Sequence, residues 1–321
     1  MNIKPIIIVA GEPNSIFFEI FLKSLKLKKF LSPLVLIASY DLLILQMKRL
    51  GFKKKINLLN SKNLNFNNIN NKSINLININ YKTKKPFQKI SNKSNNYIKE
   101  SFDVAFKIIK KGITDKFING PISKKNFLGN KYPGITEFVS KKFSVKNNAM
   151  LIYNKKLSVC PVTTHLPLKQ VSKKINKKTI LKKVLLINNF YKKKIGFEPK
   201  IGVLGLNPHC ESTDNFNEDE KIIKPAINEI KKSRVKISGP FSADTIFLKN
   251  NRKNFDVILG MYHDQVLTPI KTLYEYDAIN ITLGLPFTRI SPDHGPNEKM
   301  LGKNKSNPLS LIKAITFLDK N

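Results

Sequence analysis

Tyr97-Ile-Lys-Glu-Ser-Phe-Asp-Val-Ala-Phe-Lys-Ile-Ile-Lys-Lys-Gly112, followed after three residues by Lys116-Phe-Ile-Asn119, sets the fold class of this chain. Ile98, Phe102, Ala105, Ile108 and Ile109 recur at helical spacing on one face, and Gly112 is the residue type on which helices commonly stop. Lys116–Asn119 then reads as a short strand that runs into a Gly-Pro turn. The same unit recurs outward in both directions. Ile6–Ala10, Leu34–Ala38, Ser158–Val162, Ile201–Leu206 and Asp256–Leu259 are short β-branched or leucine-rich runs, each followed by turn residues, and Tyr40–Leu50 repeats the helical pattern before Gly51. Strand and helix alternate along most of the chain. This predicts an α/β protein with helices over both faces of a mainly parallel sheet.

Two stretches depart from that rhythm. Residues 55–96 are rich in Asn, Lys and Ser but keep Ile74, Leu76, Ile77 and Ile79, which predicts a surface excursion containing one strand. Ser172–Lys194 is lysine-rich around Ile175, Ile180, Val184, Leu185 and Phe190, the pattern of one amphipathic helix with a solvated basic face.

A chain of 321 residues with 41% hydrophobic content can bury a substantial core, and its length suggests about two domains. The longest apolar stretch, Leu31–Leu45, is broken by Ser32, Pro33, Ser39, Tyr40 and Asp41, short of the roughly 20 clean residues of a membrane span. Ile6–Ala10 is too brief for the apolar region of a signal peptide, so a cytoplasmic address with no membrane partner is expected. Cys160 and Cys210 are too few for a disulfide framework and read as free thiols. The formal charge of +35 points by itself to nucleic acid or an anionic membrane. Its texture argues otherwise: of 57 Lys and Arg residues, only Arg49, Arg234, Arg252 and Arg289 are arginine, and the lysine excess travels with asparagine and isoleucine.

Three of the four histidines stand just after a strand pattern: His165 in Val-Thr-Thr-His, His209 in Leu-Asn-Pro-His, and His263 in Met-Tyr-His-Asp-Gln. Ligands of open α/β sheets bind outside the carboxyl ends of the strands, so these imidazoles form a candidate metal site. A histidine in a turn is more often a plain surface residue; three coincident placements shift that balance. Asp264, Asp244 and Asp293 lie close in sequence, suited to orienting ligands or moving protons, although a turn aspartate is also a common cap. Lys271 lies eight residues after His263, and Arg289 ends an apolar segment where a guanidinium can clamp phosphate. No Gly-x-Gly-x-x-Gly follows any strand. Residues alone lead to a metal enzyme acting on a small anion, with hydrolase, aldolase and dehydrogenase all open.

Gly11-Glu-Pro13, Asn119-Gly-Pro-Ile-Ser-Lys124, Gly134-Ile-Thr-Glu-Phe138, Val162-Thr-Thr-His-Leu-Pro167, Gly205-Leu-Asn-Pro-His209, Gly239-Pro-Phe-Ser-Ala-Asp-Thr245, Met261-Tyr-His-Asp-Gln265 and Asn280-Ile-Thr-Leu-Gly-Leu-Pro-Phe287, in this order, resemble the 4-hydroxythreonine-4-phosphate dehydrogenase family over nearly the whole chain. The resemblance implies a two-domain α/β/α fold of the isocitrate and isopropylmalate dehydrogenase type, without a Rossmann fingerprint. Its first domain would be residues 1–130 with 281–321, and its second, residues 131–280, would carry most site residues. It implies His165, His209 and His263 as ligands of a divalent metal (Zn, Mg or Co), drawn from both subunits of a homodimer with its site at the interface. Thr136, Lys271, Asn280 and Arg289 would hold the substrate; Lys271, Asp244 and Asp264 would act in catalysis; Asp293 and His294 would face NAD or NADP. The implied reaction oxidises 4-phosphohydroxy-L-threonine to a β-keto acid that decarboxylates to 3-amino-2-oxopropyl phosphate, in pyridoxine 5'-phosphate synthesis. The alternatives are a related enzyme for a threonate or erythronate phosphate, or a metal-dependent hydrolase or aldolase, with a basic nucleic-acid-binding protein as the distant one. The chain departs from the family at Ile135, where a histidine is usual, in Cys210-Glu-Ser-Thr-Asp214, and at Pro292 and Pro296.

Overall fold

Runs of β-branched and leucine side chains form the central strands, and Ile6–Val9, Leu34–Ala38 and Val257–Gly260 are buried at every position. The computed structural model describes residues 3–61, 69–129, 132, 134–292 and 294–320. The strands are β1 (Ile6–Val9), β2 (Leu34–Ala38), β3 (Ile56–Leu59), β4 (Ile74–Asn78), β5 (Lys116–Asn119), β6 (Ala149–Tyr153), β7 (Ser158–Pro161), β8 (Ile201–Leu204), β9 (Ile237–Phe241), β10 (Val257–Gly260), β11 (Ile279–Leu283) and β12 (Thr288–Pro292). All six strands expected from the sequence are present, with ends shifted by at most two residues. The helix at Asn95–Lys110 is followed by Gly112 at φ +71°, and the helix Tyr40–Arg49, capped by Ser39 Oγ accepting from Leu42 N, is followed by Gly51 at φ +65°. Glycine meets no Cβ penalty in that left-handed region.

The chain divides into two units, Met1–Phe138 with Pro286–Asn321, and Val139–Leu285. In the first, β3, β4, β2, β1, β5 and β12 lie side by side in that order, every pair parallel. Phe102, Phe117 and Phe138 are wholly or nearly buried, and Phe102 meets the other two edge-on at 6.1 and 5.5 Å. Such pairs contribute about 0.5–1.5 kcal/mol each beyond their buried area. In the second unit, β11 and β7 flank β6 antiparallel, whereas β7, β10, β8 and β9 pair in parallel. The parallel set brings the carboxyl ends of β7, β10 and β8 to one edge. Val266 and Ile270, from the helix His263–Tyr274, pack into the core with Val159, Leu204 and Ile258 and so fix where that helix begins.

Two expectations need correction. The described residues of 55–96 hold two strands, not one: β3 and β4 both pair in the sheet, and Ile74, Leu76, Ile77 and Ile79 are buried. Alternating asparagine hid them, yet several of those asparagines satisfy backbone groups. Asn75 Nδ2 donates to Leu34 O at 3.0 Å, while Asn71 accepts from Leu34 N at 2.9 Å and donates to Ser32 O at 2.9 Å. Residues 62–68 lie outside the described residues. Ser172–Lys194 is not one helix either: a short turn, Val171–Lys174, ends at Ile175, and Asn176 caps a new helix, Lys177–Phe190, by accepting from Thr179 N at 2.9 Å.

No helix among the described residues is long and apolar enough to cross a membrane.

Candidate active site

The three strand-end histidines all fall in the unit Val139–Leu285. His165 follows β7 and His209 follows β8; their φ angles are 53° and 55°, a left-handed conformation uncommon outside glycine. Strained backbone of this kind concentrates at functional sites. His263 opens its helix after β10, and its ring lies 5.8 Å from that of His165. Asp264 Oδ1 is 2.6 Å from His263 Nδ1. A neutral imidazole that donates there presents the Nε2 lone pair outward, the arrangement that metal-bound histidines use. His209 is exposed. Among the described residues, no three His, Cys, Asp or Glu side chains gather as a metal-holding group. The donors thus suit a divalent transition metal in chemistry, and one chain brings two of them together.

Lys271 is half-buried on the same helix as His263, and burial lowers the pKa of its ammonium. Asn280, on β11, has its Oδ1 buried with no hydrogen-bond partner among the described residues. Asp244 is exposed in the first turn of the helix Ala243–Ile246.

In the unit that holds residues 1–138 and 286–321, Arg289 of β12 has no exposed surface. Its Nε donates to Asn119 Oδ1 at 2.8 Å and its Nη1 to Thr136 Oγ1 at 3.0 Å. Burial pushes its pKa down to about 10, and the neighbouring Glu137 carboxylate opposes that shift. Thr136 and Arg289, paired in the expected substrate set, are therefore in contact. Ile135 is half-buried at the start of the helix Ile135–Lys142, where it offers no polar atom. His294 turns Nδ1 toward Gly295 O at 3.0 Å. Asp293 lies outside the described residues. The variant Pro296 lends its carbonyl to Ile16 N at 3.1 Å, and Pro292 closes β12.

Gly11-Glu12-Pro13 is a buried connection. Glu12 accepts from Asn14 N at 3.2 Å and from Ser94 Oγ at 3.1 Å, and burial, the largest influence, pushes its carboxyl pKa above the ordinary 4.5. A raised folded-state pKa gives stability that is present below 4.5 and lost as pH rises through the folded value. Glu12→Gln is therefore expected to melt higher than wild type at pH 8, with the gap closing on acidification below the ordinary carboxyl value. Equal melting curves at both pH values would refute this.

Sequence reasoning missed the groups that hold the histidine loops. Asp219 is wholly buried; it accepts from Leu206 N at 2.9 Å, Asn207 N at 3.1 Å and Asn207 Nδ2 at 3.0 Å, fixing the approach to His209. Gln265 donates from Nε2 to Gly205 O at 2.8 Å and accepts from Met261 N at 2.7 Å. Asn119, the Arg289 partner, stood in a quoted motif with no role given to it. A signal existed for Asp219, which sits in Glu218-Asp-Glu220, an acidic run in a chain with 22 acids against 57 bases.

The departure after His209 also has a physical reason. A Cβ on Gly205 would meet Cys210 Sγ at 2.7 Å and Asp219 Oδ1 at 2.6 Å, so the thiol plugs the space beneath a glycine. Both cysteines are free, as expected. Cys160 has no exposed surface, and burial pushes its thiol up to about 12; burial and then Asp219 raise that of Cys210. The native protein is expected to release at most one equivalent of thiol, slowly, to an aromatic disulfide reagent, and two after denaturation. Rapid release of two from the folded protein would contradict this burial.

The sequence profile of the family described as Pyridoxal phosphate biosynthetic protein PdxA matches residues 29–318. A protein named 4-hydroxythreonine-4-phosphate dehydrogenase from Sulfurihydrogenibium sp. (strain YO3AOP1) is 38% identical over 313 residues, 96% of this chain and 95% of that one. The crystal structure of 4-hydroxythreonine-4-phosphate dehydrogenase from Klebsiella pneumoniae is similar with a TM-score of 0.81 and 27% identity, covering 98% of each chain. Isocitrate dehydrogenase from Methylococcus capsulatus, 9% identical with a TM-score of 0.51 over 98% of this chain and 85% of that one, shares the fold alone and bears out the expected fold type. Matched over most of its length by both profile and relative, the chain belongs to the PdxA family of pyridoxal phosphate biosynthetic proteins.

Proposed function

We propose that this protein is a cytoplasmic, divalent-metal-dependent dehydrogenase that oxidises 4-phosphohydroxy-L-threonine with NAD or NADP and works as a homodimer. In a chain of this family, the observation that carries the reading is the pairing of His165 and His263, with Asp264 on the ring nitrogen turned away from a ligand. His209 completes the ligand set when a second subunit supplies its part of the site. The two units of the chain are proposed to act as its two domains.

Such a cation (Zn, Mg or Co) supplies Lewis-acid stabilisation of the substrate oxygen that becomes negative during the reaction. Lys271 takes the hydroxyl proton; burial favours its neutral amine, the form able to accept one. Asn280 Oδ1, buried and without a partner among the described residues, accepts from a substrate donor such as its amino group. Thr136 meets the anionic end of the substrate, Arg289 holds Thr136 from behind by donating to its Oγ1, and Asp264 keeps His263 in its ligand tautomer. His294 and Asp293 are assigned to the nicotinamide cofactor. Bound NAD or NADP would supply the acceptor for the hydride of the carbinol carbon, and the resulting β-keto acid would lose carbon dioxide to give 3-amino-2-oxopropyl phosphate.

The test is NADH or NADPH formation by the purified protein with 4-phosphohydroxy-L-threonine, after chelation and after divalent metal is restored. Metal-dependent turnover supports the reading. A folded, metal-loaded dimer that is inert toward this substrate overturns it.

A further inference from the structure

Strands β8 and β10 run side by side, with Leu259 opposite Val203 as the last paired position. Beyond it the two chains part, one toward Gly205 and His209, the other toward Met261 and His263. Sheet hydrogen bonds no longer fix their spacing there. The Gln265 side chain spans this gap. Its Oε1 accepts from Met261 N at 2.7 Å and its Nε2 donates to Gly205 O at 2.8 Å. One primary amide thus acts as a peptide group would in an inserted strand, offering an acceptor to one chain and a donor to the other. The clamp extends to the third loop, where Thr163 Oγ1 donates to Met261 O at 2.7 Å, two residues before His165.

We propose that Gln265 is a positioning residue for the metal site: its amide ties the strand end bearing His263 to the loop bearing His209, and so presents each of them in the attitude in which the two subunits' ligands meet. Glutamine is required because both functions must sit on one planar group; an apolar side chain leaves Met261 N–H and Gly205 C=O without their partner. The inference rests on the metal-site reading of the histidines.

The experiment is an equilibrium titration of metal-free protein with Zn²⁺ or Co²⁺ against a competing chelator, run beside thermal melting of the same metal-free samples. Gln265→Met is expected to bind the ion roughly 10- to 100-fold more weakly, as changes to groups that orient metal ligands commonly do, with its metal-free melting temperature lowered only slightly. Where Gln265→Met fails to fold, Gln265→Ser leaves room for water to satisfy both backbone groups and is expected to show the same loss, because water does not fix their spacing. A merely structural amide lowers the melting temperature and leaves the affinity of the folded protein unchanged; wild-type affinity in the variant overturns the inference while leaving the metal site standing. A wild-type protein that binds no divalent ion, or binds it equally well as His209→Ala, overturns the metal-site reading and the inference with it.

Discussion

Replacing His209 by alanine is expected to lower kcat/KM for NADH formation by about 10³-fold or more, while the metal-free protein melts where wild type does. The size follows from Lewis-acid stabilisation worth several kcal/mol, at about 1.4 kcal/mol per tenfold in rate. The stability expectation follows from position. His209 is exposed in the turn Pro208–Cys210, so its truncation opens no cavity, and alanine inherits the same left-handed strain at φ 55°. His165→Ala and His263→Ala belong to the same class. Activity within tenfold of wild type in His209→Ala, at saturating metal, would remove this residue from the site.

Replacing Arg289 by methionine is expected to destabilise the fold by about 3–5 kcal/mol, the range for breaking a buried ionic network by removing one partner. The guanidinium is fully enclosed, and its loss leaves Asn119 Oδ1, Thr136 Oγ1 and the Glu137 carboxylate facing an apolar chain. At about 2–4 °C per kcal/mol for a domain of 150–250 residues, the melting temperature falls on the order of ten degrees. Arg289→Lys keeps the charge beside Glu137 but cannot reach Asn119 and Thr136 with a planar fork, so an intermediate loss is expected. A melting curve for the methionine variant within two degrees of wild type, by about the same scale, would show that the network does not hold the fold.

The contrast between these two residues marks what was legible in the sequence. Strand ends are readable because buried parallel strands are mostly apolar runs, and Ser158–Pro161, Ile201–Leu204 and Val257–Gly260 are largely such runs. The histidines beyond them stood out for that reason. β3 and β4 were obscured because asparagine, a poor strand former, alternates with isoleucine and leucine in both, and its backbone hydrogen bonds are invisible before the neighbouring strand is placed. Arg289 was expected as a clamp open to substrate. Its enclosure by Asn119 and Thr136 depends on residues 170 and 153 positions away, which no local pattern encodes. Gln265 and Asp219 escaped notice in the same way, since a side chain that serves other residues' backbone carries no periodicity of its own.

The parallel partner of β5 on its outer side is β12, from a segment that returns only after residues 139–285 have been traversed. During synthesis from the amino end, the contiguous unit Val139–Leu285 can complete its own sheet while β5 still presents an unpaired edge, and Asn119 and Thr136 still lack the guanidinium that joins them. Nascent chains are thus open to edge-to-edge association until the last tenth of the sequence leaves the ribosome. The carboxyl-terminal segment serves as the bolt of the amino-terminal unit, and a chain truncated before residue 288 would lose the closing strand of a sheet whose other strands lie far upstream.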